Sequence, residues 1–483
     1  SATPSAGPAD IVFGLGRRRA DVVRVVWPSG IVQAENAPVS PAQQRQRLDI
    51  VELDRKPSSC PYLFTWNGER FEFISDFLGG GEMGYWLAPG VRNVPDPEEF
   101  VRIRGDQLKA RDGRYELRVT NELEEAVFVD RLSLIAVTHR VGTEVYPNEG
   151  LFAPPYPRHR LFVTRGARPP EVVTDEHGHD VRDLVSRVDR RAPSDFTLER
   201  FRGYARDHHL EMTIPRRDRA RLVLLLTAWT DYAFSSDNVA ASQAGLSLRP
   251  PSLEIEDPTG RWRTIIEDIG IPVGRPQTVV VDLTGRVPLE GARLRVRTNM
   301  RIYWDQVLID SSAGGEVQRT RIEARTADLR WRGYSAEVSP DGREPFGYDY
   351  ARVLSTAPWK LMPGRYTREG DVRALLGAVD DMFVVSRPGD ELTLSFPALP
   401  APPEGWTRTF LLHSDGYSKE MDANSASPDV AAPLPYHGMS RYPYDGKDRP
   451  LSRAMRDYVR RYNTRVVTRS VPVLAAPMPG GQR

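Results

Sequence analysis

Short runs of apolar residues, separated by turn-forming residues, recur along this chain of 483 residues. Many of the runs are rich in β-branched and aromatic side chains, which favour strands. The 41 prolines and 38 glycines are spread between the runs, as turns are in an all-β protein. The pattern predicts strands at 115–120, 128–139, 220–228, 252–257, 264–266, 278–282, 292–298 and 302–309.

A β-hairpin is predicted where Asn67-Gly68 separates two apolar runs, at 62–66 and 71–74. Asn-Gly is a strong signal for a tight hairpin turn. The loop that follows carries three consecutive glycines, Gly79–Gly81. Glycine tolerates positive φ and lets the backbone come close to another segment, so we expect one of these two features in this loop.

Helical periodicity is confined to a few short segments. Residues 180–188 and 372–379 predict short helices. Near the C-terminus, one face of a predicted amphipathic helix carries an apolar stripe formed by Leu451, Met455, Tyr458, Val459 and Tyr462. We expect this helix to dock by that stripe.

The net charge of the chain argues against nucleic acid as a partner. The 66 basic and 65 acidic residues leave a net charge of +1, which gives no basic field for nucleic acid. Among the basic residues only five are lysines, so arginine dominates. Two interpretations of this bias stay open: codon usage, or a structured arginine cluster that recognises carboxylates or phosphates.

The single cysteine, Cys60, cannot form an intrachain disulfide and is expected to be a buried thiol. No apolar run is long enough to predict a membrane-spanning helix. The longest, Leu222–Leu226, suits a buried strand.

Aromatic and acidic side chains alternate in two of the predicted strands and just after them. Sugar sites need flat apolar faces together with a few hydrogen-bonding groups, so this pattern gives a candidate glycan site. The competing interpretation places the tryptophans in a core. The candidate residues are Trp229, Asp231, Tyr232, Tyr303, Trp304 and Asp305.

Two short polar segments are candidate metal sites. Ser235, Asp237 and Asn238 follow a buried strand, which suits either a turn or a calcium loop of oxygen ligands. His177 and His179 would point the same way on a strand and could reach one ion, although the surrounding sequence is typical of a loop.

No nucleophile, P-loop or zinc-protease motif occurs, and we expect no catalytic activity. Were the chain a glycoside hydrolase, a pair of carboxylates would carry the reaction. The candidates for that role are Asp76, Glu82, Asp305 and Asp415.

The N-terminal region carries a recognisable signature. A β-hairpin is predicted after the turn Phe13–Gly16. Its first strand is the apolar run 22–27, its turn is Pro28–Gly30, and its second strand begins with the apolar residues 31–32. This segment resembles the ASPIC/UnbV segment, and with residues 60–86 it is similar to bacterial CRTAC-type proteins, which are related to cartilage acidic protein. That resemblance implies a secreted or cell-surface protein in which an FG-GAP/VCBS propeller normally precedes this region. We expect this chain to correspond to the C-terminal region without the propeller.

Residues 254–306 resemble a galactose-binding-like jelly roll, with Asp257–Trp262 as the hairpin of such a sandwich. The resemblance implies a recognition or assembly platform. Such sandwiches often carry a structural calcium, which favours the calcium interpretation of Ser235, Asp237 and Asn238; no other cofactor is expected.

We therefore predict a mostly β fold of several antiparallel β-sandwich units, with few short helices and a C-terminal amphipathic helix. Its predicted parts are an ASPIC/UnbV-like hairpin unit (1–56), a sandwich-like unit (57–150), a Pro/Arg-rich insertion or linker (151–215), the jelly roll (216–315) and an irregular aromatic and proline-rich region (316–483).

The predicted function is that of an exported, non-catalytic binding and assembly protein, located outside the cell, at its surface or in the periplasm. Its expected partners are proteins, further copies of itself, or a glycan. Two alternatives stay open: a polysaccharide-acting enzyme with an ancillary sugar-binding unit, and an accessory subunit of a surface or electron-transfer complex.

Overall fold

The computed structural model describes residues 11–16, 20, 22–26, 32–36, 50, 61–339, 342, 345–357, 359–445, 447, 449 and 452–468. The chain divides into two units, Ser1–Arg55 and Lys56–Arg483. In the first unit, strands β1 (Val22–Val26) and β2 (Val32–Asn36) pair antiparallel, which confirms the predicted hairpin. Its predicted turn at Pro28–Gly30 lies outside the described residues, as do Cys60 and Leu451.

The second unit begins with strands that supply the first half of one β-sandwich. These are β3 (Tyr62–Trp66), β4 (Phe71–Asp76), β5 (Trp86–Ala88), β6 (Val91–Arg92), β7 (Glu98–Ile103), β8 (Arg114–Thr120) and β9 (Glu125–Arg140). The strand β9 is central to its sheet, as the sequence predicts for 128–139. The predicted hairpin around Asn67-Gly68 is formed by β3 and β4.

The next elements form a second sandwich. They are β10 (Glu144–Pro147), β11 (Leu161–Thr164), β12 (Val173–Thr174), β13 (Tyr204–Ile214), β14 (Val223–Thr230), α1 (Ser235–Gln243), β15 (Ser252–Glu256), β16 (Trp262–Ile266), β17 (Gln277–Asp282), β18 (Ala292–Met300) and β19 (Ile302–Asp310). A five-stranded sheet, β12-β13-β18-β15-β16, and a three-stranded sheet, β17-β14-β19, enclose one apolar core. The hairpin β10–β11 covers the outer face of the smaller sheet, so β14 is buried on both faces.

The remaining strands return to the first sandwich or flank it. They are β20 (Val317–Glu323), β21 (Thr326–Trp331), β22 (Tyr334–Val338), β23 (Gly347–Leu354), β24 (Gly364–Tyr366), β25 (Gly370–Asp371), β26 (Val384–Ser386), β27 (Asp390–Pro397), β28 (Trp406–Glu420) and β29 (Arg465–Val467), with helix α2 at Arg453–Tyr462. The two sheets of this sandwich, β20-β9-β28-β7 with β26 on β9, and β25-β21-β27-β8-β3-β4, share a second core.

The second sandwich is inserted between two neighbouring strands of the first. The strand β9 ends at Arg140, β20 begins at Val317, and the two pair antiparallel from Val317 opposite His139. The chain between them folds as the second sandwich. Two segments of sequence far apart therefore complete one sheet.

Four expectations about local structure need correction. The segment 151–215 is more than a linker, because Tyr204–Ile214 forms a long strand of the five-stranded sheet. The region from 316 is less irregular than expected, because its described residues up to Glu420 include the nine strands β20 to β28. The predicted helices at 180–188 and 372–379 are only 3-10 turns, at Arg182–Val185 and Arg373–Leu375, because so few residues seldom sustain an α-helix.

The C-terminal helix forms as predicted. Helix α2 is capped by Ser452, whose Oγ accepts a hydrogen bond from Met455 N at 3.1 Å. Met455, Tyr458 and Tyr462 are buried in the core of the first sandwich, so the apolar stripe docks within the chain. Among the described residues, neither helix is long and apolar enough to cross a membrane.

Candidate functional site

The six residues of the predicted glycan site lie on β14, on β19 and in the loop that follows β14, but they do not open to solvent together. Trp304 is 3 % exposed and packs in the core between the sheets. Trp229 is also buried, and it stacks on Tyr303 with ring centroids 5.4 Å apart. Neither tryptophan therefore offers a free ring face to a sugar.

The two acidic members of that set are occupied by neighbours. Asp231 accepts hydrogen bonds from Arg202 at 3.0 Å and from Arg301 at 3.3 Å. The buried Asp305 accepts from the backbone N–H groups of Asp189 and Arg190, and burial raises the pKa of its carboxyl to about 6. These contacts hold the loops around the sandwich in place.

The predicted calcium segment is the first turn of helix α1 rather than a loop. Asp237 Oδ2 accepts a hydrogen bond from Phe234 N at 3.0 Å, as an acidic residue at this helix position commonly does. Ser235, Asp237 and Asn238 are all buried. A short polar run suits a turn and a helix start equally well, which is why the sequence alone could not separate them.

Helix α1 joins the second sandwich to the first through its serines. Ser235 Oγ donates to Glu420 Oε1 at 3.0 Å, and Ser236 Oγ donates to Asp422 Oδ1 at 2.6 Å. Glu420 ends strand β28 of the first sandwich. The oxygens proposed as calcium ligands are thus engaged in hydrogen bonds at the junction of the two sandwiches.

Asn238 fastens a loop of the first sandwich to the same helix. Its Nδ2 donates to Tyr85 Oη and to the Trp86 carbonyl, both at 2.9 Å, while its Oδ1 accepts from Tyr204 Oη at 2.8 Å. Tyr85 Oη in turn donates to the Ala233 carbonyl at 2.6 Å. One side chain therefore ties the base of the β5–β6 hairpin to the second sandwich.

Acidic side chains concentrate beneath this hairpin. Burial, followed by the charges of Glu420 and Glu125, raises the pKa of Glu82 well above its usual range. Burial likewise raises the pKa of Tyr85 and of Tyr232, both of which lie close to this cluster. Burial therefore favours the neutral form of these three side chains.

The β5–β6 hairpin projects apolar side chains from this base. Its turn is Pro89-Gly90, in which Gly90 has a φ of 77°, as the third residue of a type II turn requires. Leu87 is 50 % exposed and Val91 is 49 % exposed. A firmly held hairpin with exposed apolar residues is the candidate binding surface of the chain, and we call these residues, Trp86–Arg92, the junction hairpin.

The predicted histidine pair is only partly brought together. His179 Nδ1 lies 3.1 Å from Asp175 Oδ2 and 3.7 Å from Asp195 Oδ2, so these three residues form one group. His177 contacts Glu176 at 3.7 Å instead. The loop, not a strand, sets these positions.

One arrangement in the first sandwich has the residue types of a catalytic triad. Ser133 Oγ lies 3.4 Å from His413 Nδ1, and His413 Nε2 lies 2.9 Å from Glu98 Oε1. Arg321 Nη1 is 2.8 Å from both Ser133 Oγ and His413 Nδ1, and Ser133 is fully buried. A triad needs a nucleophile that a substrate can reach, and the burial of Ser133 does not meet that requirement.

Sequence reasoning noted Glu82 and Tyr232 but missed Tyr85, Glu420 and Asp422. The sequence carries a signal for Glu420 and Asp422, because a polar run that contains them follows the apolar part of β28. No protein-family model matches the chain, and no curated protein sequence matches it significantly. The contacts within the molecule are therefore the grounds on which its function is inferred.

Proposed function

We propose that this chain is an exported, non-catalytic assembly protein that binds further copies of itself through the junction hairpin. The observation that carries the proposal is the half-exposure of Leu87 and Val91 on a hairpin anchored at its base. Water-exposed apolar residues in a defined place favour association, because covering them removes apolar surface from water.

Anchoring matters as much as exposure. The hairpin is held by Asn238 and by Ser235, whose Oγ accepts from Trp86 N at 3.1 Å. On its other side, Tyr85 N donates to Asn93 Oδ1 and Asn93 N donates to the Tyr85 carbonyl, both at 2.9 Å. A loop that is ordered before binding loses less conformational entropy when a partner arrives.

The charge of the chain is compatible with a second copy as the partner. A net charge of +1, from 66 basic and 65 acidic residues, produces little long-range repulsion between copies. Glycan binding ranks behind self-association, because both tryptophans predicted for it are buried. Polysaccharide cleavage ranks behind it as well, because the candidate carboxylates Asp76, Asp305 and Asp415 are buried.

We also propose that the second sandwich is a galactose-binding-like jelly roll. Its support is the packing of a five-stranded antiparallel sheet on a three-stranded one. Membership of the ASPIC/UnbV-containing family, and with it export, also belongs to the proposal and is supported by the residues quoted for that resemblance. In this view the inserted sandwich acts as the platform that holds the junction hairpin.

Sedimentation velocity over a range of protein concentrations tests the proposal. The wild-type chain should associate, and Leu87→Asp and Val91→Asp should shift the distribution towards monomer, because each places a charge in an apolar interface. Val141→Asp is the matched control, since Val141 is 65 % exposed on a turn outside the hairpin. A wild-type monomer at all concentrations would refute self-association, and an equal effect of Val141→Asp would refute the role of the hairpin.

A further inference from the structure

Two irregular segments of the chain meet two neighbouring strands of the first sandwich at a single histidine. Asp130 lies on β9 and Asp415 on the neighbouring strand β28. Asp381 lies in the loop that precedes β26, and His437 lies between β28 and helix α2. These four residues are separated in sequence and brought together only by the fold.

The two ring nitrogens of His437 have different surroundings. Nε2 lies 2.7 Å from Asp415 Oδ1, and Nδ1 lies 2.7 Å from Asp381 Oδ1. Nδ1 also lies 3.8 Å from Asp130 Oδ2. A metal-binding histidine commonly donates its other N–H to a carboxylate, which fixes the ring, and Asp415 is placed to accept that bond.

Asp130 has a carboxylate oxygen that no hydrogen bond engages. The side chain is 0 % exposed, and its Oδ2 accepts the backbone N–H groups of Asp380 at 3.0 Å and Asp381 at 2.9 Å. Its Oδ1 is buried and has no hydrogen-bond partner. A buried oxygen without a partner is costly, and a cation beside it would remove that cost.

We infer that Asp130, Asp381 and His437 bind a divalent first-row transition-metal ion such as Zn²⁺. One ligand atom from each residue lies within 4.8 Å of the others. Zn²⁺ holds nitrogen and oxygen ligands at about 2.0–2.2 Å. One ion therefore fits between all three once His437 Nδ1 and Asp381 Oδ1, which are 2.7 Å apart, separate slightly and Asp130 moves closer than its 3.8 Å from Nδ1. One imidazole nitrogen and two carboxylate oxygens suit Zn²⁺ better than Ca²⁺, which takes a larger set of oxygen ligands.

Neighbouring residues hold the proposed ligands in position. Arg449 Nη2 donates to Asp381 Oδ2 at 3.1 Å, which leaves Oδ1, the oxygen that also accepts from His437 N at 3.0 Å, facing the histidine ring. Asp381 has a φ of 65°, in the left-handed region, and the two amide contacts of Asp130 hold this loop in place. Phe383 stacks near His437 at a centroid distance of 6.5 Å and shields one side of the ring.

The ion would fasten the segment after β28 to the first sandwich. Among its described residues, 421–449 contains neither helix nor strand, and His437 and Arg449 connect it to Asp381. With one cysteine in the whole chain, no intrachain disulfide can do this. We therefore assign the ion a structural role that does not depend on the junction hairpin.

A second group of the same composition provides the control. Asp175, His179 and Asp195 also lie within ligand distance of one another, but both Asp175 oxygens accept hydrogen bonds from His177 or His179. The side chains of His179 and Asp195 are mostly exposed. This loop lacks the buried oxygen without a partner that distinguishes Asp130.

Isothermal titration of the full-length, chelator-treated chain with ZnCl₂ tests the inference. The wild type should bind one Zn²⁺ at this centre. The variants His437→Gln and Asp130→Asn should bind it at least about tenfold more weakly. The control variant His179→Gln should bind it with the affinity of the wild type. Circular dichroism of each apo variant checks that it folds. X-ray absorption at the zinc edge of the wild type should show nitrogen and oxygen neighbours with a single imidazole.

Three results would overturn the inference. They are the absence of Zn²⁺ binding by the wild type, wild-type affinity in both His437→Gln and Asp130→Asn, and loss of the ion in His179→Gln. If either centre variant fails to fold, the zinc-edge spectrum decides, because a first shell with no imidazole or with sulfur excludes this centre.

Discussion

The glycine-rich loop crosses strand β28 so closely that a single methyl group should disrupt it. A Cβ built on Gly81 would lie 2.5 Å from the Gly416 carbonyl oxygen and 3.2 Å from Tyr417 Cα. The crossing is fixed by hydrogen bonds, since Ser418 N donates to the Gly81 carbonyl at 3.1 Å and Met83 N donates to the Ser418 carbonyl at 2.9 Å. We predict that Gly81→Ala destabilises the chain.

The expected size follows from what would have to move. The atom in the way is a backbone oxygen of a central strand, which cannot rotate aside as a flexible side chain would. Overpacking of a well-packed region costs about 1–3 kcal/mol, and each strained hydrogen bond adds about 1 kcal/mol. We therefore expect Gly81→Ala to lower the free energy of unfolding by about 3 kcal/mol.

Gly377→Ala is the matched control. Gly377 is exposed, has no atom within 4 Å of an added Cβ and does not adopt the left-handed conformation. Gly377→Ala should therefore raise the free energy of unfolding by no more than about 1 kcal/mol, because alanine restricts the unfolded chain. Urea unfolding followed by tryptophan fluorescence measures both variants. Equal midpoints for Gly81→Ala and the wild type would refute the close crossing.

Two further predictions concern buried residues. Burial raises the pKa of Glu99 to about 8. The folded chain therefore keeps the carboxyl proton of Glu99 at pH values at which the unfolded chain has already lost it. The free energy of unfolding should consequently fall as the pH rises from about 5 to 8. In Glu99→Gln the fall in melting temperature over that range should be smaller; an unchanged fall would count against the assignment. Trp304→Ala should cost about 3–5 kcal/mol in urea unfolding, because it empties part of a core, while Trp331→Ala, at an exposed position, should cost much less. Similar losses in the two variants would show that Trp304 is not a core residue.

Strands inside the second sandwich were predictable because their sequence carries local information. The predicted strand at 302–309 is found at Ile302–Asp310, and that at 278–282 at Gln277–Asp282. Each is a β-branched or aromatic run bounded by turn residues, which specifies a strand without help from distant residues. The prediction of a mostly β, sandwich-like architecture is confirmed for the same reason.

Long-range pairing was not predictable in this way. Nothing local indicates that Val317 lies beside His139, because that contact depends on how the inserted sandwich returns the chain. Ser235 and Ser236 resemble a turn in sequence, and only their contacts to Glu420 and Asp422 show why they begin a buried helix.

The histidine centre illustrates the same limit. Asp415 stood out in the sequence only as one carboxylate among many, and His437 lies in a segment without periodic pattern. Their 2.7 Å contact results from the path of the chain after β28. The close approach in the loop Gly79–Gly81, by contrast, was expected from glycine alone and is found at Gly81.

Hydrogen–deuterium exchange of the wild-type chain at low and high protein concentration tests the central claim most directly. If copies associate through the junction hairpin, amides of Trp86–Arg92 should exchange more slowly in the concentrated sample, while those around Val141 should not change. Equal exchange of the hairpin at both concentrations, in a sample shown to be associated, would contradict the account.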